Sequence, residues 1–329
     1  MSVMTYLSFG LEVLLPLYFV YHLWRSDIES RAAWGLNLVN GLGFLAVFLV
    51  VGRWELAGGG LRYPLYAAYA LAMAGSWVRV ADRPLLVDGE MRTSWGTWGD
   101  IVVLVVLAGW TLVGLWPHRT PVDLQFPLRG ERYHVTHGGS TYPLNYHGLF
   151  AASQRYALDL TQRNVWGMRA AGLYPERLAD YEIYGDPVYS PLDGTVVDAV
   201  DRFEDLTPGR RQPEHPGGNH VWLRRDSLYV LLAHLKQGSV RVEPGDPVAA
   251  GERIAAVGNT GNTSEPHLHV HAVTVDGRTP PVPDSALHAG TPVPLRFDGR
   301  FLTRNDLVTR PRPAGPPGAP VSGPAPAGE

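Results

Sequence analysis

Two hydropathy regimes divide the chain. Up to Trp116 the apolar residues come in long, nearly unbroken runs; beyond it they come in short runs separated by glycine, proline and asparagine. The runs Met4–Leu23, Ala33–Val51, Tyr63–Val78 and Trp98–Trp116 are each of the length a helix needs to cross the hydrocarbon of a bilayer. They predict a four-span α-helical transmembrane bundle over residues 1–116. Trp24, Trp54, Trp77, Trp98 and Trp116 fall near the run ends, where amphipathic rings settle at the headgroup level. No basic segment precedes the first run and no small-x-small cleavage site precedes Trp24, so it reads as a retained span rather than a removed signal. Glu12 lies inside it, and an intramembrane carboxyl is a functional candidate by default. With no second ionisable residue mid-span to relay a proton, Glu12 reads as a group that faces a neighbouring helix, stays protonated or reaches a polar partner.

Charge sets the orientation. Arg25 and Arg31 follow the first run and Arg79, Arg83 and Arg92 the third, whereas the second loop carries only Arg53 and Arg62. The positive-inside rule therefore puts the first and third loops in the cytoplasm. The expectation is a multi-pass protein of the cell membrane, in contact with the lipid bilayer, whose remaining chain is extracytoplasmic.

After a connector at residues 117–132, short β-type runs follow one another, among them Gly194–Val200, Asn219–Leu223, Leu228–His234 and Glu252–Val257. Asp193-Gly194 and Gly245-Asp246 mark tight turns between them. Such spacing predicts a mostly antiparallel β-sheet domain, placed at 133–309, with an irregular or partly helical excursion at 161–185. Residues 310–329 are rich in proline, alanine and glycine and offer almost nothing to bury, which predicts a disordered tail.

Composition removes several function classes. The net charge is −3, and no basic patch interleaved with aromatics points to nucleic acid. Cysteine is absent, which excludes disulfides, thiolate metal sites and cysteine nucleophiles. Any metal must be held by His, Asp or Glu. Pro266-His267-Leu268-His269-Val270-His271 then stands out, because a strand's period of two sets its three imidazoles on one face. That face is either a metal site or simply a polar strand surface; zinc suits imidazole ligands.

The order of motifs resolves more. Pro187-Val188-Tyr189-Ser190-Pro191 and Asp193-Gly194-Thr195-Val196-Val197, then Gly218-Asn219-His220-Val221, Ala233-His234-Leu235, Val242-Glu243-Pro244-Gly245-Asp246, Val257-Gly258-Asn259-Thr260-Gly261-Asn262 and Pro266-His267-Leu268-His269 resemble the lysostaphin-like, M23-type zinc metallopeptidases in order and spacing. The resemblance implies an antiparallel β-domain with an open groove, a Zn2+ cofactor, and peptidoglycan stem or cross-bridge peptides as substrate. It makes His269 a zinc ligand and His234 and His267 the catalytic pair flanking the water to be activated. The family's remaining ligands come from a His-x-x-x-Asp motif. Gln154-Arg155-Tyr156-Ala157-Leu158-Asp159 matches at the aspartate but carries arginine where the histidine belongs, and a guanidinium stays protonated and cannot ligate. Asp159 is thus a ligand, and His147, upstream in Leu144-Asn145-Tyr146-His147, is the substitute, with His137 and His134 as fallbacks. His271 reads as a bystander, His215 as a solvated loop residue, and His220 as a groove or strand residue.

The expected function is a membrane-anchored zinc endopeptidase. Arg155 keeps open a second reading, a catalytically impaired binding or regulatory module at the cell wall, although loss of activity usually erodes several site positions and here His234, His267, His269 and Asp159 all persist. A biotinyl- or lipoyl-type carrier domain is disfavoured because the single lysine, Lys236, lies beside His234 rather than in a hammerhead turn. A transport or sensing role for the bundle rests on Glu12 alone.

Overall fold

The computed structural model describes residues 2–56, 58–87, 95–275 and 290–310. The tail expected to be disordered, apart from Arg310, lies outside the described residues.

All four apolar runs form helices: α1 (Ser2–Arg25), α2 (Arg31–Val51), α3 (Arg62–Val80) and α4 (Trp95–Gly114). Ser30 starts α2, its hydroxyl accepting from the Ala33 backbone N–H at 3.0 Å, one of the otherwise unpaired donors of a first turn. The helices bury a small core of Leu23, Leu45, Tyr69 and Ala72. Their outer surface is apolar, with Leu14, Val39, Leu71, Val78, Val102 and Val105 exposed. Among the described residues α2 alone is long and apolar enough to cross a membrane by length and composition; α4 holds a shorter apolar stretch, Trp98–Gly114. α1 is one continuous helix that carries Glu12 and Pro16, and α3 is the least apolar of the four, with Arg62, Ser76 and Arg79 among many small residues.

The β-domain is built on a nine-stranded sheet. Its strands are β2 (Arg132–His137), β3 (Leu158–Gln162), β5 (Gly194–Val200), β6 (His220–Arg225), β7 (Leu228–Ala233), β8 (Pro247–Val248), β10 (Leu268–Thr274), β11 (Thr291–Val293) and β14 (Leu307–Thr309). They run in the order β14-β2-β3-β10-β7-β6-β5-β8, with β11 also on β10. A smaller sheet joins β1 (Val122–Leu124), β12 (Leu295–Phe297) and β13 (Arg300–Phe301), and β4 (Pro187–Tyr189) pairs with β9 (Arg253–Ala256). Every pairing is antiparallel except β1 with β12, in agreement with the expected mostly antiparallel domain.

The central strands explain where chemistry can sit. Leu268, Val270 and Ala272 of β10 and Leu228, Val230 and Leu232 of β7 enter the main core. The alternate residues, His269 and His271 on β10 and Leu231 and Ala233 on β7, face the other way. Burying each Leu or Val contributes about 1.5–3 kcal/mol, so the core face fixes the strand register and with it the histidine face.

The β-domain is docked on the helices at the side where α2 and α4 end. The Asn305 amide donates to the Val50 and Gly52 carbonyls, both at 2.8 Å, and the Ser140 N–H to the Gly114 carbonyl at 2.9 Å. Between them lies an ion network. Arg53, after α2, reaches Glu55 at 2.9 Å and Glu265 at 3.0 Å; Arg169 grips the same Glu265 at 2.5–3.0 Å. Glu12 accepts from the Arg53 backbone N–H, the polar partner from another segment that the sequence asked of it. Burial would raise the Glu265 carboxyl, but Arg169 and Arg53 hold it below its ordinary value of 4.5; Glu55 is likewise lowered, by Arg53 against burial.

Breaking such a buried pair from one side costs about 3–5 kcal/mol. Glu265→Gln is therefore expected to destabilise the detergent-solubilised full chain by about that much at pH 7. A depressed carboxyl stabilises above its unfolded value and loses the effect as pH falls through its folded value. The gap in melting temperature between wild type and Glu265→Gln should thus hold from pH 8 to about 5 and close only below about 4. A gap that closes near pH 6 would contradict the network.

Candidate metal centre

Asp159 is the middle residue of a three-strand crossing. In β3 it stands directly opposite His269 of β10 and His137 of β2, so all three side chains share one face. Strict alternation in β2 would put His137 on the side of Val135, which lies in the core. The ladder shifts between Val135 and His137, and this bulge, by inserting one residue, turns His137 over to Asp159. His147 arrives from a different direction, at the start of the one-turn helix α5 (His147–Phe150). Its backbone N–H is capped by the Asn145 side chain at 3.1 Å, and the Asn145 amide donates to the carbonyls of Gly139, Arg155 and Ala157 at 2.8–3.2 Å. Asn145 thus ties the loop before α5 to the segment leading into β3.

The distances converge on the carboxylate. His147 Nε2 lies 2.8 Å and His137 Nδ1 3.0 Å from Asp159 Oδ2. On Oδ1, His269 Nδ1 lies at 3.0 Å and His267 Nε2 at 3.5 Å. His137, His147 and Asp159 offer ligand atoms within 4.8 Å of one another and could hold a metal ion. The donor set fits zinc: ligands at about 2.1 Å in tetrahedral array stand about 3.4 Å apart, close to these separations, and no sulfur is needed.

Electrostatics favour ligating forms. Burial would raise the Asp159 carboxyl, but His147 and His267 hold it well below the carboxylate range. Burial pushes His269 down to about 4 and His137 to about 3, each against its bond to Asp159. Both imidazoles are therefore neutral near pH 7, the form a metal requires. His267 goes the other way: burial would lower it, yet Asp159 raises it.

The two histidines expected to do chemistry stand beside the cluster with their Nδ1 atoms occupied. His234, at φ 63°, places Nδ1 2.9 Å from the Thr260 carbonyl. His267 Nδ1 meets the Glu265 carbonyl at 2.8 Å. The rings lie 4.7 Å apart, and His234 is 5.8 Å from the His269 ring. Burial keeps His234 well below its ordinary value. A groove of about 270 Å³ opens over this set, lined by His147, Asp159, His234, His267 and His269 and walled by Tyr146 and Arg211.

The structure thus brings together all five site residues that the sequence named, His147, Asp159, His234, His267 and His269, and with them His137, one of the two fallback histidines. His134 does not join; its Nε2 meets Asn305 at 3.0 Å. Arg155 turns away, its Nε donating to the Ser140 carbonyl at 3.3 Å, and lines a separate cavity with Trp110 and Arg119. His220 is paired with Asp198 at 3.0 Å. His271 is no distant bystander: its Nδ1 is 2.9 Å from His269 Nε2, and its ring packs edge-on against Trp222 at 5.4 Å. Its place two residues along the same strand face was the available signal.

Comparison with known proteins agrees in part of the chain. A family model described as peptidase family M23 matches residues 178–280, a range that holds His234, His267 and His269 but begins after His147 and Asp159. Peptidoglycan DD-endopeptidase ShyA of Vibrio cholerae is 31% identical over 179 residues, 50% of this chain and 37% of that protein. An uncharacterized metalloprotease of Haemophilus influenzae is 34% identical over 106 residues, 32% of this chain and 19% of its own. The chain spans less than half the length of either curated relative. Among solved structures, a zinc containing peptidase from Vibrio cholerae is 22% identical with a TM-score of 0.29, covering 50% of this chain and 41% of that one. The catalytic domain of lysostaphin from Staphylococcus simulans is 23% identical with a TM-score of 0.21, covering 35% and 86%. On the family match and the relatives in sequence, this chain carries a domain of peptidase family M23.

Proposed function

We propose that the chain is a membrane-anchored zinc metallo-endopeptidase that hydrolyses peptide bonds in peptidoglycan stems or cross-bridges. The observation that carries this reading is the convergence of His147 Nε2, Asp159 and His269 Nδ1 at ligand spacing, with His234 and His267 beside them in an open groove. His147, Asp159 and His269 hold the metal, and His137 backs the same carboxylate. Zinc held by these residues would supply Lewis acidity and would lower the pKa of a water molecule there. The substrate class follows the name of the ShyA relative.

The chain's own groups divide the proton work. With Nδ1–H of His234 donated to Thr260, its Nε2 carries a lone pair and can take a proton from attacking water. His267, fixed in the same sense by Glu265 and raised by Asp159, can donate to the departing amine or stabilise the developing oxyanion. His271 acts one step back. In the tautomer that leaves His269 Nδ1 free to ligate, His269 Nε2–H donates to His271 Nδ1, which fixes the ring as second partners of metal-bound histidines do.

The bilayer part of the proposal reads α1 to α4 as four spans with the β-domain extracytoplasmic. It is supported by the apolar outer surface of the helices and by the docking of the β-domain on one side of the bundle, where α2 and α4 end.

Zinc content and digestion of purified peptidoglycan, followed by mass spectrometry, test the assignment. Asp159→Ala and His269→Ala are expected to lose zinc and activity together. His234→Ala and His267→Ala are expected to keep zinc and lose about 10²–10⁴-fold in kcat. Full zinc occupancy in both ligand variants sinks the metal site, and a zinc-loaded wild type that releases no peptide from any wall type favours a binding module instead.

His271→Ala separates orientation from ligation. Its zinc affinity, measured by chelator competition, should fall about 10–100-fold while stoichiometry at saturating zinc stays at one per chain. Unchanged affinity would return His271 to the role of a packing residue.

A further inference from the structure

A second cavity, of about 600 Å³, opens on the helix side of the metal centre. It shares Tyr146, Asp159, Arg211, Ser264 and His267 with the groove, so the two spaces adjoin along these side chains. Its far wall brings Arg53 from the loop after α2 and Arg304 from the segment before β14. The charges around it are unevenly matched. Glu265 is neutralised by Arg169 and Arg53, and Asp159 is engaged by its four imidazoles. Arg304 and Arg211 make no ion pair among the described residues; Asp306, the nearby carboxylate in sequence, is taken by Arg300 at 3.1 Å and by Thr303 at 2.7 Å.

Arg304 is also held in place from both sides. Thr303 is fixed through Asp306, and Asn305, in the left-handed region at φ 68°, is anchored on the ends of α2 through its amide. A half-buried guanidinium that makes no ion pair among the described residues, with Glu55 and Glu12 acting on it only from beyond ion-pair distance, on a backbone that cannot swing away, has donors left for an anion. Its planar donors match a carboxylate in two parallel bonds.

We propose that this cavity is a carboxylate-binding subsite, in which Arg304, assisted by Arg211, receives a free carboxyl group of the peptide whose scissile bond lies at Asp159. The inference rests on the peptidase reading above and deepens it by naming the substrate as an acidic peptide. The shared wall of groove and cavity favours a peptide over a lipid headgroup, because a peptide whose scissile bond lies at Asp159 has the cavity directly beside it.

The test uses the full chain in detergent micelles, in a His234→Ala background that blocks turnover. The probes are fluorescein-labelled Ala-Glu-Lys-Ala-Ala with free acids, the same peptide as C-terminal carboxamide, and the peptide with Gln in place of Glu, read by anisotropy. One of the two neutralised peptides is expected to bind about tenfold more weakly than the acid, which identifies the carboxyl received, since losing one charge-assisted bond of this kind is worth about a factor of ten. Arg304→Gln should erase the discrimination and Arg304→Lys should restore part of it. Arg211→Gln, at an exposed side chain, should weaken it. Equal affinity for all three peptides, or equal loss for all three in Arg304→Gln, overturns the subsite. So does an Arg304→Gln effect confined to binding of phosphatidylglycerol micelles. Peptidoglycan digestion by the zinc-loaded wild type judges the peptidase reading separately: hydrolysis without discrimination removes only the subsite, and discrimination without hydrolysis removes only the peptidase.

Discussion

A carboxylate buried at the crossing of three strands is the constraint around which the domain is arranged. Asp159 is 3% exposed, and an isolated carboxylate in such a place is too costly to remain charged. Four imidazole nitrogens answer it, from β2, α5, the segment before β10, and β10 itself. Several of these rings are set by a further partner. Asn145 caps the turn that carries His147, the Glu265 carbonyl fixes His267, and His271 contacts His269. The position of the centre is therefore over-determined, as a site requires if its donors are to stay within tenths of an ångström of a working geometry.

The strand face was legible because it rests on a local rule. A period of two puts His269 and His271 opposite Leu268 and Val270 in any strand, and the apolar pair fixes which side is core. The partnership of Asp159 with His269 was legible only through the resemblance, since the residues are 110 positions apart and meet by sheet register. His137 was harder still. The same period that exposes His269 would have buried His137 beside Val135, and only the bulge reverses it. A bulge is decided by pairing with the neighbouring strand, so β2 alone carries no sign of it. Arg155 misled in the opposite direction: it occupies the motif position of a ligand, yet its side chain belongs to the Ser140 loop, and Asn145 brings His147 to the carboxylate.

The helical part shows the same division. Four apolar runs gave four helices, because run length is a property of contiguous residues. What joins them to the β-domain has no local signature. Arg53 and Glu265 are 212 positions apart, and each alone reads as a solvated surface charge. In the fold they are buried together with Glu55 and Arg169, and the pairing lowers both carboxyls despite their burial.

Glu265 connects these two halves through different atoms. Its carboxylate is held by Arg53 and Arg169 at the helix interface, while its backbone carbonyl accepts from His267 Nδ1 at 2.8 Å. Only Pro266 separates it from His267, and the fixed φ of proline leaves little slack between them. The imidazole that must present Nε2 to Asp159 therefore takes its orientation from a backbone group whose own side chain is anchored on the loop between α2 and α3. Position at the histidine-lined groove is in this way a property of the docked chain, helices included, and not of the sheet by itself. The docking contacts are accordingly polar and directional rather than merely apolar: an apolar patch tolerates sliding, whereas a carboxylate gripped by Arg169 within the β-domain and reached by Arg53 from the helices is fixed in direction as well as in distance.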